Sequence, residues 1–163
     1  MASPTSTAQT GTLSDRELQA WRGMLRVHSA LTKALDAQLE AEHGLPLSSY
    51  EVLLFLADAP GRKMRMSELA ESILLSRSGL TRLVDRLERE GLIARETCDQ
   101  DARGSYAKLT AAGARKLAAA RATHLAGVRA LFLEHLGAEE QELLGGLWAR
   151  ILPGAHKGPH CAP

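Results

Sequence analysis

The stretch from Leu75 to Thr110 constrains this chain more than any other, because it combines a helix with two unlike faces and a charged hairpin. Four aliphatic residues recur in it at steps of three and four, which is the spacing of one buried helix face: Leu80, Leu83, Val84 and Leu87. Gly91 follows them, and glycine commonly ends a helix. A helix is therefore predicted from about Ser76 to Glu90.

The opposite face of this predicted helix is polar. It carries short hydroxyls and guanidinium groups, at Ser76, Arg77, Ser78, Thr81, Arg82 and Arg86. Guanidinium groups fork onto guanine edges or phosphates, and hydroxyls suit either partner. We interpret this face as the part of the protein that touches double-stranded DNA.

A short hairpin is predicted directly after this helix. Leu92 to Arg95 and Tyr106 to Leu109 are the strand candidates, and the loop between them, TCDQDARGS, is polar and rich in turn formers. Arg103 lies near the tip of the loop. A guanidinium held out beside a major-groove helix is well placed to enter a minor groove, whose negative potential attracts it.

Two shorter helices are predicted upstream, and with the polar-faced helix they make a helix-turn-helix. Ser48-Ser49-Tyr50-Glu51 has the pattern of a capping box that opens a helix to about Ala57. Ser67 is the predicted cap of the second, which begins near Met66. Arg65 lies in a basic turn between them, where contacts to phosphate that set register are expected.

Long helices are predicted on either side of this centre. The first opens with a capping box at Ser14 to Glu17 and runs to about Glu42, which makes it about 40 Å long. Thr110 caps another that runs to about His135, and a last helix ends before Pro153. Because one small winged domain cannot cover so long a helix, a homodimer is expected, with two recognition helices about 34 Å apart on a pseudo-palindromic operator.

The expected fold class is mainly α with a small β-wing, that is, a winged helix-turn-helix flanked by N- and C-terminal dimerisation helices. The chain of 163 residues suits a single domain of ordinary size. The predicted boundaries are a disordered tail at 1–12, one domain at 13–152 with dimerisation helices at about 14–43 and 111–152 and the winged helix-turn-helix at about 47–110, and a disordered tail at 153–163.

The motif Asp101-x-Arg103-Gly104 followed by Leu109-Thr110, and preceded by SRSGLTRLVDRLEREGLI, resembles the winged helix-turn-helix core of the MarR family of bacterial regulators. The resemblance extends over about Ser14 to Leu152. It implies that the helix from Ser76 to Glu90 enters the major groove and that Arg103 enters the minor groove. It also implies that Asp101 helps to hold the wing and that the protein is a dimer.

Composition excludes several other classes of protein. The net charge of +1, with ten basic and eight acidic side chains between Arg62 and Lys108, means that the case for DNA rests on where the charges lie. Met1 to Thr12 lacks the features of a signal peptide, and the longest apolar run, Val52 to Ala57, is far short of the roughly 20 residues of a membrane span. A cytoplasmic, nucleoid-associated protein is expected.

Neither catalysis nor a metal is indicated. The sequence has no phosphate-binding glycine loop and no nucleophile elbow, so an enzyme is not expected. No cofactor is expected, and His156, His160 and Cys161 lie in a Pro/Gly segment that is not pre-organised for a metal. Peroxide-sensing relatives in the MarR family use a cysteine near the start of the first long helix, and this chain has none there.

Three residues interrupt otherwise aliphatic helix faces and indicate a ligand pocket. Trp21 and His28 lie one heptad apart on the first helix, and His124 lies on the second long one. Each of them is equally consistent with a residue of the core or of the dimer interface. Together they predict a pocket for a small phenol or aromatic acid between the dimer helices and the winged domain. The family resemblance adds Arg22, since some relatives use an arginine and a histidine of the first helix.

The sequence thus predicts a dimeric repressor that a small aromatic or phenolic ligand releases from its operator. Two alternatives remain open at this point. One is a winged-helix DNA-binding protein that senses no ligand, and the other is a dimeric module for protein interactions.

Overall fold

The computed structural model describes residues 11–73, 76–98 and 101–153, with the backbone alone described at 77, 98 and 101–104. The predicted tails lie almost wholly outside these ranges. In these ranges six α-helices and three strands follow one another: α1 Asp15–His43, α2 Leu47–Asp58, β1 Lys63–Arg65, α3 Met66–Ile73, α4 Arg77–Arg89, β2 Ile93–Cys98, β3 Asp101–Leu109, α5 Ala111–Leu131 and α6 Ala138–Ile151. The mainly helical winged fold is therefore as predicted.

Local hydrogen bonds mark the starts of α1 and α5 and the end of α4 where the sequence predicts them. Glu17 accepts the backbone N–H of Ser14 at 2.8 Å and so completes the capping box of α1. Thr110 Oγ1 accepts the N–H of Gly113 at 3.0 Å at the start of α5. Gly91, at φ +71°, ends α4 in a Schellman motif, in which the N–H of Leu92 donates to the carbonyl of Leu87 at 2.9 Å.

Two predicted helix caps are wrong. The pattern Ser48 to Glu51 does not cap α2, which begins at Leu47 after Pro46. The N–H of Leu47 donates instead to Asp36 Oδ1 of α1 at 2.8 Å, so a carboxylate from another helix replaces the local hydroxyl. Ser67 lies inside α3, which begins one residue earlier at Met66.

The sheet has one more strand than predicted. β1, β3 and β2 lie in that order, and both pairs are antiparallel. The register places Lys63 opposite Lys108 and Arg65 opposite Tyr106. Since β1 has only three residues, it is too short to show an alternating pattern, and the basic turn predicted around Arg65 is in fact an edge strand.

The core lies between α2, α3, α4 and the inner face of the sheet. Its side chains include the four aliphatic residues that define the predicted buried face of α4, all at most 9% exposed: Leu80, Leu83, Val84 and Leu87. Leu39 of α1 and Leu117 of α5 pack against the same cluster. This packing turns the polar face of α4 outward.

Helix α5 begins in close contact with the wing. Thr110 Oγ1 donates to the carbonyl of Gly91 at 2.7 Å, and Gly113 is buried against the carbonyl oxygen of Leu92. A methyl group on Gly113 would overlap that backbone oxygen. Gly127, further along α5, is also buried, but a methyl there would meet the end of the Gln38 side chain and a methyl of Leu35.

The described helices include none that is both long and apolar enough to span a bilayer, although α1 has 29 residues.

Gly113→Ala should destabilise the protein by about 1–3 kcal/mol, because the new methyl can be accommodated only if α5 moves away from the wing. Gly127→Ala is the matched control on the same helix, and it should cost less because a flexible side chain can move aside. Urea unfolding followed by circular dichroism, at one protein concentration, measures both. Equal losses in the two variants would contradict this account of the α5–wing contact.

Candidate nucleic-acid interface

The exposed face of α4 carries the side chains that the sequence predicts to read DNA. Ser76, Ser78, Thr81 and Arg82 are all exposed. The core residues listed above fix this orientation, because they leave the helix only one face for solvent. Arg77 begins the helix, and its side chain lies outside the described residues.

The start of α4 is suited to an anion. Ser76 Oγ accepts the N–H of Gly79 at 3.1 Å and lies 3.3 Å from the hydroxyl of Ser78. The first turn of α4 contains no acidic residue. The partial positive charge of the helix N-terminus is therefore not neutralised by its own side chains, which favours a nearby phosphate.

The acidic residues of α4 lie toward its other end and bind the wing. Arg95 of β2 reaches Asp85 at 2.5 Å and Glu88 at 3.9 Å, and its backbone N–H donates to Glu88 at 3.3 Å. Such half-exposed ion pairs contribute little stability, but they fix the orientation of β2 relative to α4. The negative charge is thus used within the domain, away from the serines at the start of the helix.

Arg86 lies at the edge of the exposed face of α4 and is not fully exposed. Its side chain is half-buried, and Nη2 donates to Ser49 Oγ of α2 at 2.6 Å. The helical positions of Arg82 and Arg86 differ by 40°, and this rotation brings Arg86 to the edge of the buried face. Arg86 therefore has a partner inside the domain, and its contact with DNA stays a prediction.

Arg65 lies on the outer face of the sheet. Its guanidinium carbon is 5.3 Å from the centre of the Tyr106 ring, and Lys63 Nζ is 5.5 Å from the same centre. Lys108 donates to Glu96 at 2.7 Å, and this hydrogen bond above all lowers the pKa of Glu96. Lys63 and Lys108 thus both pair with Glu96 on this face of the sheet.

At the tip of the wing the structure describes the backbone of residues 98 and 101–104. The backbone of Asp101 and Arg103 lies in β3, and Asp101 pairs with Cys98 across the hairpin. Their side chains lie outside the described residues. The minor-groove role of Arg103 and the supporting role of Asp101 stay predictions.

The structure does not bring the four predicted ligand-binding residues together. Trp21 lines an apolar cavity of about 700 Å³ between α1 and α6, whereas His28 lines a second one of about 740 Å³ beside α2. Arg22 is exposed and lines neither. His124 stacks against Tyr50, with ring centres 4.5 Å apart, and burial lowers its pKa. Within one chain, the four residues therefore do not line one shared pocket.

Helix geometry explains this separation. Trp21 and His28 share a stripe, but seven residues place them about 10 Å apart along α1. α6 lies beside the first position, and the start of α2 lies beside the second. A periodic pattern identifies the face of a helix, but it does not identify which neighbour covers each turn.

The second cavity has a mixed chemistry, and most of its residues could not be selected from the sequence. Basic Lys33 and His28 lie on the α1 wall, and acidic Asp36 and Glu51 lie near them, with Leu47 and Ile73 adding apolar surface. Burial raises the pKa of Glu51, and the nearby charge of His28 opposes that shift. This combination suits a small molecule with an apolar body and a polar group.

Comparison with known proteins places this geometry in a family. The sequence model of the MarR family matches residues 43–104, from the end of α1 to the wing. The crystal structure of AbsC, a MarR family transcriptional regulator from Streptomyces coelicolor, is 36% identical and has a TM-score of 0.81, and the match covers 87% of this chain and 95% of AbsC.

A second similar structure is that of Sco3205, a MarR family transcriptional regulator from Streptomyces coelicolor, which was solved in complex with DNA. It is 33% identical with a TM-score of 0.83, and the match covers 94% of this chain and 96% of Sco3205. Transcriptional repressor MprA of Escherichia coli strain K12 is 29% identical over 60% of this chain and 55% of MprA. The chain spans less than two thirds of the first curated relatives it matches.

The likeness to AbsC and Sco3205 extends over almost the full length of each, and it includes the flanking helices as well as the winged centre. The chain therefore belongs to the MarR family of transcriptional regulators.

Proposed function

We propose that this protein binds duplex DNA as a homodimer and regulates transcription, with α4 in the major groove and the wing in the minor groove. The observation that carries the proposal is the exposed, acid-free start of α4, where Ser76, Ser78, Thr81 and Arg82 project from a buried core. The DNA complex of Sco3205, at 33% identity, supports it. Such a protein would act in the cytoplasm, on the nucleoid.

Exposed apolar surface supports the dimer. Trp21 is 53% exposed on α1, and Ile151 is 72% exposed on α6 with Trp148 and Leu152 beside it. α6 packs little against the rest of the described chain, so its apolar residues have few partners there. Pairing with α1 and α6 of a second copy would bury these apolar residues. A two-fold axis brings the same surface of each copy together, so such a pair forms a closed dimer.

Repression is the direction of regulation that we propose, because MprA, a relative over part of the chain, is a transcriptional repressor. A dimer seated on an operator blocks other proteins by occupancy alone. We further propose that a small aromatic acid weakens this binding from the cavity beside α2. Lys33 and His28 would face its carboxylate, and Leu47 and Ile73 would face its ring.

Ile151→Asp should convert the dimer to a monomer, because a charge in a buried seam costs far more than one in water. Sedimentation equilibrium measures the change, and operator affinity should fall with it. Ala149→Asp places the same charge on the same helix outside the apolar cavity, so it should leave the dimer intact. A dimeric Ile151→Asp protein would refute a seam through α6.

Selection from random duplexes should enrich a pseudo-palindromic sequence, against which Arg82→Ala and Arg103→Ala can be compared. A base-reading arginine should relax preference at one operator position by about 1–3 kcal/mol when it is lost. A phosphate-binding one should weaken all sequences alike and reduce the salt slope by about one per subunit. Arg129→Ala, exposed on α5, is the control.

If both arginine variants kept the wild-type salt dependence of DNA affinity and the wild-type sequence preference, the proposal that α4 and the wing contact DNA would be contradicted. Failure of the wild-type protein to enrich any duplex would instead favour the module for protein interactions.

Benzoate should bind the free protein more tightly than the operator-bound protein, since ligand and DNA must weaken each other by the same factor, typically about 5–150-fold. His28→Ala and Lys33→Ala should reduce benzoate affinity while leaving ligand-free DNA binding intact. Arg22→Ala, which lines neither cavity, is the matched control on α1. Calorimetric titration of benzoate into the free and the operator-bound protein measures this coupling. Equal benzoate affinities of the two wild-type forms would favour the alternative of a DNA-binding protein that senses no ligand.

A further inference from the structure

Ser49 is the one polar residue in the described chain that is buried as fully as the aliphatic core, with 0% of its surface exposed. It lies in the first turn of α2, between Leu47 and the fully buried Val52. Its hydroxyl accepts the 2.6 Å hydrogen bond from Arg86. A short bond from a charged donor to a buried acceptor is among the stronger hydrogen bonds in proteins.

Apolar side chains of α4 also contact the core. Leu83, Val84 and Leu87 pack against the same cluster on the side of α4 that carries Arg86. Apolar contact is non-directional, so it selects the buried face, and close packing opposes rotation and sliding without setting a bond angle. A hydrogen bond has a preferred length and angle, and it therefore restricts both movements.

Arg86 and Arg82 lie one turn apart on α4. A rotation of α4 that breaks the bond to Ser49 must also move Arg82, since the helix between them is rigid. Base readout depends on placing such side chains within a fraction of an ångström of the base edges. The orientation of the reading face is thus tied to a bond that lies on the inner side of the same helix.

We propose that Arg86 is a positioning residue, which sets the orientation of α4 in the major groove through its bond to Ser49 and makes no contact with DNA itself. This inference rests on the proposed function, because it assumes that α4 reads bases. It assigns to Ser49 and Arg86 a role in specificity that is separate from the exposed residues of α4.

Ser49→Ala removes the acceptor and keeps the charge of Arg86, whereas Arg86→Gln removes the charge. If the bond orients α4, both variants should bind the selected operator about tenfold more weakly, as expected for losing one charge-assisted hydrogen bond. Both should keep wild-type affinity for random duplex and a wild-type salt slope. The double variant should be no weaker than either single one, because both remove the same interaction.

Arg86→Lys keeps a cationic donor on the same stem and should recover part of the discrimination. If Ser49→Ala does not fold, Arg86→Gln and Arg86→Lys still test the proposal, because the side chain of Arg86 is only half-buried. Circular dichroism gives the folded fraction in each preparation, and stoichiometric titration with operator DNA gives the fraction that is competent to bind. The affinities are then compared for that fraction alone.

Two results would overturn the proposal. In the first, Arg86→Gln lowers the salt slope by about one per subunit while Ser49→Ala binds like wild type, which would make Arg86 a phosphate contact. In the second, both variants lose stability while their folded fraction discriminates operator from random duplex as wild type does, which would make the bond purely structural. A wild-type protein that selects no duplex would instead defeat the proposed function, so the two failures are distinguishable.

Discussion

The first turn of α2 is joined by directional hydrogen bonds to two other helices, α1 and α4. Asp36 of α1 accepts the N–H of Leu47 there, and Ser49, two residues later, accepts from Arg86 of α4. One turn of α2 therefore donates a hydrogen bond to α1 and accepts another from α4. Both are directional, whereas the surrounding leucine contacts are not. These two bonds therefore link α1 and α4 through the first turn of α2.

Charge placement explains how a chain with a net charge of +1 presents a surface for an anion. Asp85 and Glu88 are held by Arg95 on β2, and Glu96 is held by Lys63 and Lys108 on the outer face of the sheet. These carboxylates hold strands and α4 in place, and each lies beyond the first turn of α4. The first turn of α4 itself contains no acidic residue, although the overall charge is nearly balanced.

Features decided within a few residues were predictable from the sequence. The caps at Ser14 and Thr110 and the glycine stop at Gly91 join groups at most five residues apart, and the apolar spacing of α4 identified its buried face. The cap of α2 and the partner of Arg86 were not predictable, because Asp36 and Ser49 lie 11 and 37 residues from the groups they bind. For the same reason, the sequence could not predict the separation of Trp21 from His28, because only the fold decides which helix packs beside each residue.

The separation of the two cavities restricts how a ligand could act on DNA binding in the proposed regulator. Trp21 and Asp36 lie 15 residues apart on α1, or about 22 Å along one continuous helix. A molecule beside α2 lies against Asp36 and Ser48, which border the turn bonded to Arg86. A change there would reach α4 through two hydrogen bonds. A molecule in the apolar cavity would lie about 22 Å from that turn along α1, so the cavity beside α2 would be the more direct site for the proposed ligand to act.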